Sequence, residues 1–426
     1  MPDAEAARNA RLGVRARQWA RARARKSPED ASATSFRVVS YNFLAPECAA
    51  SLRRSLYRCI GAHRLDWSRR AVTLAAELDA LRADVVCAQE YDESASGTLD
   101  EALLRSGLER GVRATRGDKR DGCAIFYRAS AFEIEGTPEV VRFGDVGLGD
   151  NVACVAVLRH RARDARVVVA TAHLLFNPKR GDVKVGQVRV LLEAVARARQ
   201  TIRARGFDVR CVICGDYNFS PGSELYDFFS TGRINLAQVN RRELSGALAE
   251  EVDCDISDAD SHDVGVGVEE SDAELASETE TLAMRAFQRG WDARGLGLAL
   301  GDKSTPFPSR TGIELEITQR ASKTGMDVDE IRNLMRYTAG GCVVHHALEG
   351  ELKSAYVTVD GREPDFTTCH GKYVGTNDYI WHTADIEPIS VLRCPSVDDI
   401  LLHGRLPSVR YASDHVSLVV DFHIAS

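Results

Sequence analysis

The period of the apolar positions changes repeatedly along this chain, and each change marks an element. Phe36 to Tyr41 alternates as a half-buried strand does and stops at Asn42. Ser68 to Arg82 carries Val72, Leu74, Leu78 and Leu81 on one helical face, then leads into an apolar run from Asp84 to Gln89 closed by Glu90. Asp121-Gly122 reads as a turn into a strand over Cys123–Tyr127. Val152–Leu158 and Arg166–Ala172 read as a strand pair, the second ending at His173. Asp182 to Arg205 predicts a long amphipathic helix, and Val209 to Cys214 a buried strand. Further strands are predicted at Asp378–His382 and Val416–Phe422. Strands and helices alternate, which argues an α/β fold.

The strand over 209–214 opens into Gly215-Asp216-Tyr217-Asn218-Phe219-Ser220-Pro221, with a helix expected from Ser223-Glu224 onward. Gly215 is read as the turning residue. If strand geometry persists, Asp216 and Asn218 project from one face, an acceptor-only carboxylate beside an amide that both donates and accepts. Such a pair can deprotonate a water and hold an anionic oxygen; an ordinary strand-end turn uses the same residue types.

Residues 247–325 break the pattern. Glu250 to Glu280 holds thirteen acidic residues and no Lys or Arg, and is expected to be disordered. We treat 247–325 as an insertion into a domain running from 34 to 426, with a helix expected over Met326–Tyr337. Asp258, Asp260 and Glu269 loosely match a calcium loop, but Asp263 stands where the required Gly belongs. The net charge of −7 conceals a mildly basic remainder, since −7 + 13 leaves +6. That balance suits a polyanionic substrate. Residues 1–33 read as a basic extension carrying Arg8, Arg11, Arg15, Arg17, Arg21, Arg23 and Arg25. They fit a solvated helix near RNA or an organellar transit peptide equally well.

With 44% hydrophobic residues the chain can bury a large core, yet no apolar run is long enough to cross a membrane. Eleven cysteines, several inside apolar runs, read as reduced core residues of a cytosolic or nuclear protein. Cys211 and Cys214 form a CxxC spacing, but on a strand they face opposite sides and so read as core.

Five polar clusters end apolar runs: Asn42, Glu90, His173, Asp216 with Asn218, and Asp414 with His415, while Asp378 opens another strand. Singly, a turn cap, a surface ion pair or a core histidine accounts for each. Together they offer hard oxygen ligands suited to Mg²⁺, two histidines and a carboxylate able to activate water. Zinc is disfavoured, because HExxH and paired CxxC motifs are missing.

Ser40-Tyr41-Asn42, Gln89-Glu90, Thr171-Ala172-His173-Leu174, Gly215-Asp216-Tyr217-Asn218, Asp378-Tyr379-Ile380 and Ser413-Asp414-His415 stand in the order seen in the endonuclease/exonuclease/phosphatase superfamily. Asp121–Tyr127 and His173–Asp182 closely resemble its Angel proteins and their plant relatives, within a branch that includes carbon catabolite repressor deadenylases and nocturnin. Phe219 and Ala412 depart from the Ser and Pro common in that branch, and neither change removes a catalytic atom.

The resemblance implies a DNase I-like four-layer sandwich: two mixed β-sheets flanked by helices, with the site at one end. It implies Glu90 as main Mg²⁺ ligand (Mn²⁺ being an alternative ion), helped by Asn42, with Asp414 behind the direct ligands or on a second ion. It implies that Asp216 orients and deprotonates water, that Asn218 and His173 contact the phosphate, and that His415, oriented by Asp378, stabilises developing charge. Tyr373 and Pro178, with Asn177 alongside, would face the substrate's terminal base. The implied activity is a Mg²⁺-dependent 3′-to-5′ exoribonuclease on poly(A) tails. The alternative is an Angel-like 2′,3′-cyclic phosphatase on RNA ends. A nocturnin-like dinucleotide phosphatase fits less well, since Leu175 and Asn177 stand where that subgroup carries Lys and Arg. A catalytically inactive RNA-binding adaptor is the reading from another class, set against the full set of catalytic side chains. RNA is the expected partner of a monomer. With no leucine-rich repeat ahead of the domain, docking into a deadenylase assembly is not expected.

Overall fold

The computed structural model describes residues 2–22, 35–235, 244–246, 343–403 and 405–424. The expected acidic insertion, the calcium-like loop and the helix over Met326–Tyr337 lie outside the described residues.

In chain order the strands are β1 (Trp19–Arg21), β2 (Ser35–Asn42), β3 (Val85–Gln89), β4 (Leu108–Thr115), β5 (Gly122–Arg128), β6 (Phe132–Ile134), β7 (Glu139–Arg142), β8 (Val152–His160) and β9 (Ala165–His173). There follow β10 (Val209–Asp216), β11 (Arg233–Asn235), β12 (Val343–His345), β13 (Leu352–Ser354), β14 (Thr368–His370), β15 (Tyr373–Gly375), β16 (Asp378–Thr383), β17 (Glu387–Leu392) and β18 (Leu418–His423). One sheet has the order β1-β17-β18-β2-β3-β5-β4, the other β13-β16-β10-β9-β8-β6, with β7 also on β8. Each sheet is mixed: β2–β3 and β9–β10 are parallel, and their other pairings are antiparallel.

Burial explains the layering. Val38, Val85 and Cys87 of the first sheet meet Val167, Val169, Val212 and Cys214 of the second in one core between the sheets. The outer face of the second sheet packs Val168, Ala170 and Ile213 against Val188, Leu191, Leu192 and Val195 of the Gly181–Arg203 helix. The outer face of the first packs Val39, Val86 and Phe126 against Leu74, Leu78 and Leu81 of the Trp67–Leu81 helix. Both faces of β9 are covered, which is why all nine of its residues are buried and six of them are Ala or Val. Cys211 and Cys214 fall in different cores, as their odd separation requires.

Two expectations are corrected. Residues 2–22 are part of the fold: the Pro2–Ala16 helix packs on the Trp67–Leu81 helix, and β1 pairs with β17. Arg8, Arg11 and Arg15 are exposed, but Arg17 is buried and donates to Ser417 Oγ, Ser417 O, Leu392 O and Arg393 O. Ser417 in turn donates to the buried Glu77, which also accepts from Tyr41. A domain boundary at 33/34 would cut through this network. Gly215, second, does not turn the chain: it lies within β10, where a Cβ would come within 2.3 Å of the Ala172 carbonyl oxygen on β9. Close strand approach demands the glycine, and the turn falls later, at Asn218, whose φ is 53°. On either side of 236–342 the chain is joined by the antiparallel β11–β12 ladder.

Candidate active site

The parallel pairs β2–β3 and β9–β10 end at the same rim of the sandwich. Asn42, Glu90, His173 and Asp216 all close strands there, and Asp378 opens β16 directly opposite Asp216 in register. Beneath the rim, Gln89 of the first sheet donates to Thr171 Oγ1 of the second, at 2.8 Å, holding the two ends together.

Asp216 is the hub. Its Oδ2 accepts from Asn42 Nδ2 at 3.0 Å and lies 3.6 Å from both His173 Nε2 and His415 Nε2. Its Oδ1 accepts from the Asn218 backbone N–H at 3.2 Å. Asn42 Nδ2 also donates to Glu90 Oε1 at 3.0 Å, and Glu90 Oε2 accepts from the Ala45 N–H at 2.9 Å. His415 Nδ1 lies 2.8 Å from Asp378 Oδ2, which places the proton on Nδ1 and leaves Nε2 facing Asp216. Leu44, Glu90 and Asn218 all hold left-handed φ near 50°, so three non-glycine residues with uncommon backbone gather at one rim. The buried Arg70 clamps the first by donating to the carbonyls of Phe43 and Leu44.

The same-face expectation for Asp216 and Asn218 fails, because the left-handed turn swings Asn218 away. Its Nδ2 donates to Leu174 O at 3.0 Å, leaving one N–H and the side-chain oxygen for other partners. Asp414 lies beside His415, but its Oδ2 accepts from Tyr57 at 2.7 Å. Tyr373 lies nearby, with its hydroxyl 3.3 Å from Ser220 and donating to Asn377 Oδ1 at 3.2 Å. Asn177 and Pro178 sit on the loop after His173; Asn177 is exposed and its Oδ1 accepts from the Lys179 N–H. Among the described residues, no hydrogen bond or ion pair joins those two to Asp216.

Burial sorts the protons. Desolvation, with the Asp378 charge next, raises the Asp216 carboxyl to about 7. Burial, aided by Arg116, lowers His173 to about 3, so its imidazole is neutral. Burial also disfavours charge on His415, but Asp378, Asp216 and Asp414 together outweigh it and hold the ring protonated well above the usual histidine range. The rim thus carries a carboxylate that can take a proton near neutrality beside a stable imidazolium.

Four supporting residues escape a reading of the sequence. Thr367 Oγ1 donates to Asp378 Oδ2 at 2.6 Å and accepts from the Asn377 and Asp378 N–H groups. Tyr57 fixes Asp414. Lys184, fully buried and lowered to about 7 by desolvation, donates to Asn218 O and to Ser245 Oγ, bracing the turn. Asp121 pairs with Arg116 at 3.3 Å, while its other carboxylate oxygen is buried without a partner. The aspartate before Gly122 is visible in sequence as a turn signal, not as a site residue.

Among the described residues, the acidic–histidine group whose ligand atoms lie within 4.8 Å of one another is Asp216, Asp378 and His415. The hydrogen bond between its last two members makes it an orienting pair rather than a cage. The oxygen-rich side of the site is Glu90, Asn42 and Asp216, with the orphaned Asp121 oxygen near enough to feel the Glu90 charge. The buried thiols at Cys87, Cys123 and Cys214 belong to the core between the sheets. Such a donor set fits a hard divalent cation and not a thiolate-preferring one.

The fold is thus a mixed two-sheet sandwich whose strand ends gather carboxylates and histidines at one rim. Residues 52–415 match the model of the Endonuclease/Exonuclease/phosphatase family, and the chain belongs to that family. It is 30% identical over 399 residues to carbon catabolite repressor protein 4 homolog 5 of Arabidopsis thaliana, covering 90% of this chain and 76% of that one. It is 27% identical over 418 residues to protein angel homolog 2 of Mus musculus, covering 91% and 69%. The crystal structure of ANGEL2, a 2′,3′-cyclic phosphatase, superposes with a TM-score of 0.67 at 24% identity, covering 96% and 98% of the two chains. The human Nocturnin catalytic domain shares the fold with a TM-score of 0.53 at 18% identity, covering 97% and 98%. Among the described residues no helix is long and apolar enough to cross a membrane.

Proposed function

We propose that this protein is a Mg²⁺-dependent RNA phosphodiesterase that removes nucleotides from the 3′ end of poly(A). The observation that carries the reading is the convergence on Asp216 of Asn42, His173 and His415, from three distant stretches of chain, around one carboxylate poised near neutrality. Asp216 takes the proton of the attacking water. His415, held by Asp378, which Thr367 fixes in turn, presents Nε2–H to the charge that grows on the phosphoryl oxygens. His173, neutral, and the free N–H of Asn218 bind the phosphate. Glu90, with Asn42 and with Asp414 behind, would hold the cation, which when bound supplies Lewis-acid neutralisation of phosphate charge. Tyr373 and Pro178, with Asn177, would cradle the terminal base.

The similarity to carbon catabolite repressor homologues over nine-tenths of the chain supports the exonuclease reading. The similarity to angel homolog 2 supports a second one, hydrolysis of a 2′,3′-cyclic phosphate at an RNA end by the same residues. Incubation with a 5′-labelled oligo(A) and with a cyclic-phosphate-ended RNA, side by side in Mg²⁺, separates them. The expected result is a ladder of shortened oligo(A) on a denaturing gel. An RNA of unchanged length that loses its terminal phosphate would replace the first reading with the second, and no change in either substrate would overturn both.

A further inference from the structure

From Cys48 to Leu65 the chain contains Arg53, Arg54, Arg58, His63 and Arg64 and no acidic residue. Its apolar residues turn inward: Ala49, Tyr57, Ile60 and Leu65 form a small core with Leu44, against which Cys48, Leu52 and Leu56 pack. Arg53, Arg54, Arg58 and His63 are exposed. Among the described residues, no carboxylate pairs with Arg53, Arg54 or Arg58; Arg58 donates only to the Arg54 carbonyl. The segment is tied to the candidate active site at two points. Ala45, just before it, donates to Glu90, and Tyr57, in its middle, donates to Asp414. Gly371 N–H donates to Leu56 O, and a Cβ on Gly371 would come within 2.7 Å of that oxygen, so the segment and the 370–371 turn are in close contact. Beyond Tyr57 a surface cleft of about 360 Å³ is lined by Cys59, His63, Arg64, Leu401 and Arg405.

We infer that this arginine-rich segment is the track for the RNA backbone upstream of the scissile bond, gripping phosphates through Arg53, Arg54 and Arg58 with the 59–64 cleft beyond them. The inference rests on the RNA reading above and deepens it. Uncompensated guanidiniums on a buttressed segment, a single anchor residue away from the site, match a chain of regularly spaced monoanions. An exposed single strand also needs no base-specific contacts here, because phosphate contacts position without reading sequence.

The test is binding, followed by fluorescence anisotropy of labelled oligo(A) in chelator so that no turnover occurs, as a function of salt. The Arg53→Ser/Arg54→Ser/Arg58→Ser variant should bind a dodecamer roughly tenfold or more weakly at low salt, and the slope of log K against log salt should fall by about 2, three contacts at about 0.7 each. Binding of a dinucleotide should be unchanged, and the triple Arg→Lys variant should recover most of the slope. Circular dichroism of both variants checks the fold. An unchanged dodecamer slope in a folded Ser variant would overturn the inference while leaving the RNA reading intact. Equal losses for dinucleotide and dodecamer would also overturn it, by placing these side chains inside the site. Wild-type protein that neither binds nor cleaves RNA would remove the RNA reading itself, and capture of polyglutamate with an unchanged RNA slope would assign the patch to an acidic peptide instead.

Discussion

Glu90→Gln will lower Mg²⁺-dependent turnover by about 10³-fold or more while leaving the protein folded. The substitution keeps shape and removes the charge that a hard cation requires. Losing a cation's neutralisation of phosphate charge is worth several kcal/mol, and about 4 kcal/mol is roughly 10³ in rate. The structural cost is small by comparison. Glu90 accepts from Asn42 and Ala45, and a glutamine retains one acceptor oxygen for them, so the loss is about 1 kcal/mol. A thermal melt should therefore shift by only a few degrees. Turnover assays across a Mg²⁺ titration check the assignment, and near-normal rates at saturating Mg²⁺ would remove Glu90 from the metal site.

Asp378→Asn will slow catalysis by roughly 10³- to 10⁴-fold, the scale seen when the carboxylate that orients a catalytic histidine is neutralised. The amide introduced by the substitution can donate to His415 Nδ1 and favour the wrong tautomer. The pH profile makes the prediction specific. In the proposed reaction activity rises as Asp216 loses its proton, so the acid limb follows a carboxyl raised to about 7 by burial and then by the Asp378 charge. Removing that charge lowers the Asp216 value and moves the acid limb down. Activity falls as His415 loses its proton. Burial opposes that proton and Asp378 is the largest group sustaining it, so the alkaline limb also moves down in the variant. The whole bell should shift to lower pH. A slower enzyme with an unmoved bell would mean that Asp378 acts only as scaffold.

The residues that converge at the rim are legible in the sequence because each interrupts an apolar run. Glu90, His173 and Asp216 stand at the ends of strands buried on both faces, where a polar residue stands out, and Asn42 ends a strand whose apolar positions alternate. Asp378 and His415 are legible through the order of motifs. The supporting residues are not. Tyr57 reaches Asp414 across 357 positions and Arg17 reaches Ser417 across 400, and neither local segment has a period that signals a buried polar partner. Lys184 lies on a helix whose amphipathic pattern hides a buried ammonium among Asp182, Val183 and Val185. Asn218 departs from expectation because period-two geometry stops at the end of β10. Gly215 departs because a glycine forced by a neighbouring strand looks, in one dimension, like a glycine forced by a turn. The N-terminal arginines look uniform in sequence, although burial separates Arg17 from Arg8, Arg11 and Arg15.

In the proposed reaction Asp216 takes the proton of a water whose oxygen bonds to phosphorus. Hydrolysis of RNA in ¹⁸O-enriched water, with the phosphate of the released product examined by mass spectrometry, shows whether water supplies the incoming oxygen. One heavy oxygen is expected in the 5′-phosphate of each released nucleotide, or two in the freed phosphate if the cyclic end is the substrate, because water then breaks two P–O bonds. Cleavage that yields a 2′,3′-cyclic phosphate without solvent oxygen would mean attack by the RNA's own hydroxyl, and would contradict the proposed reaction.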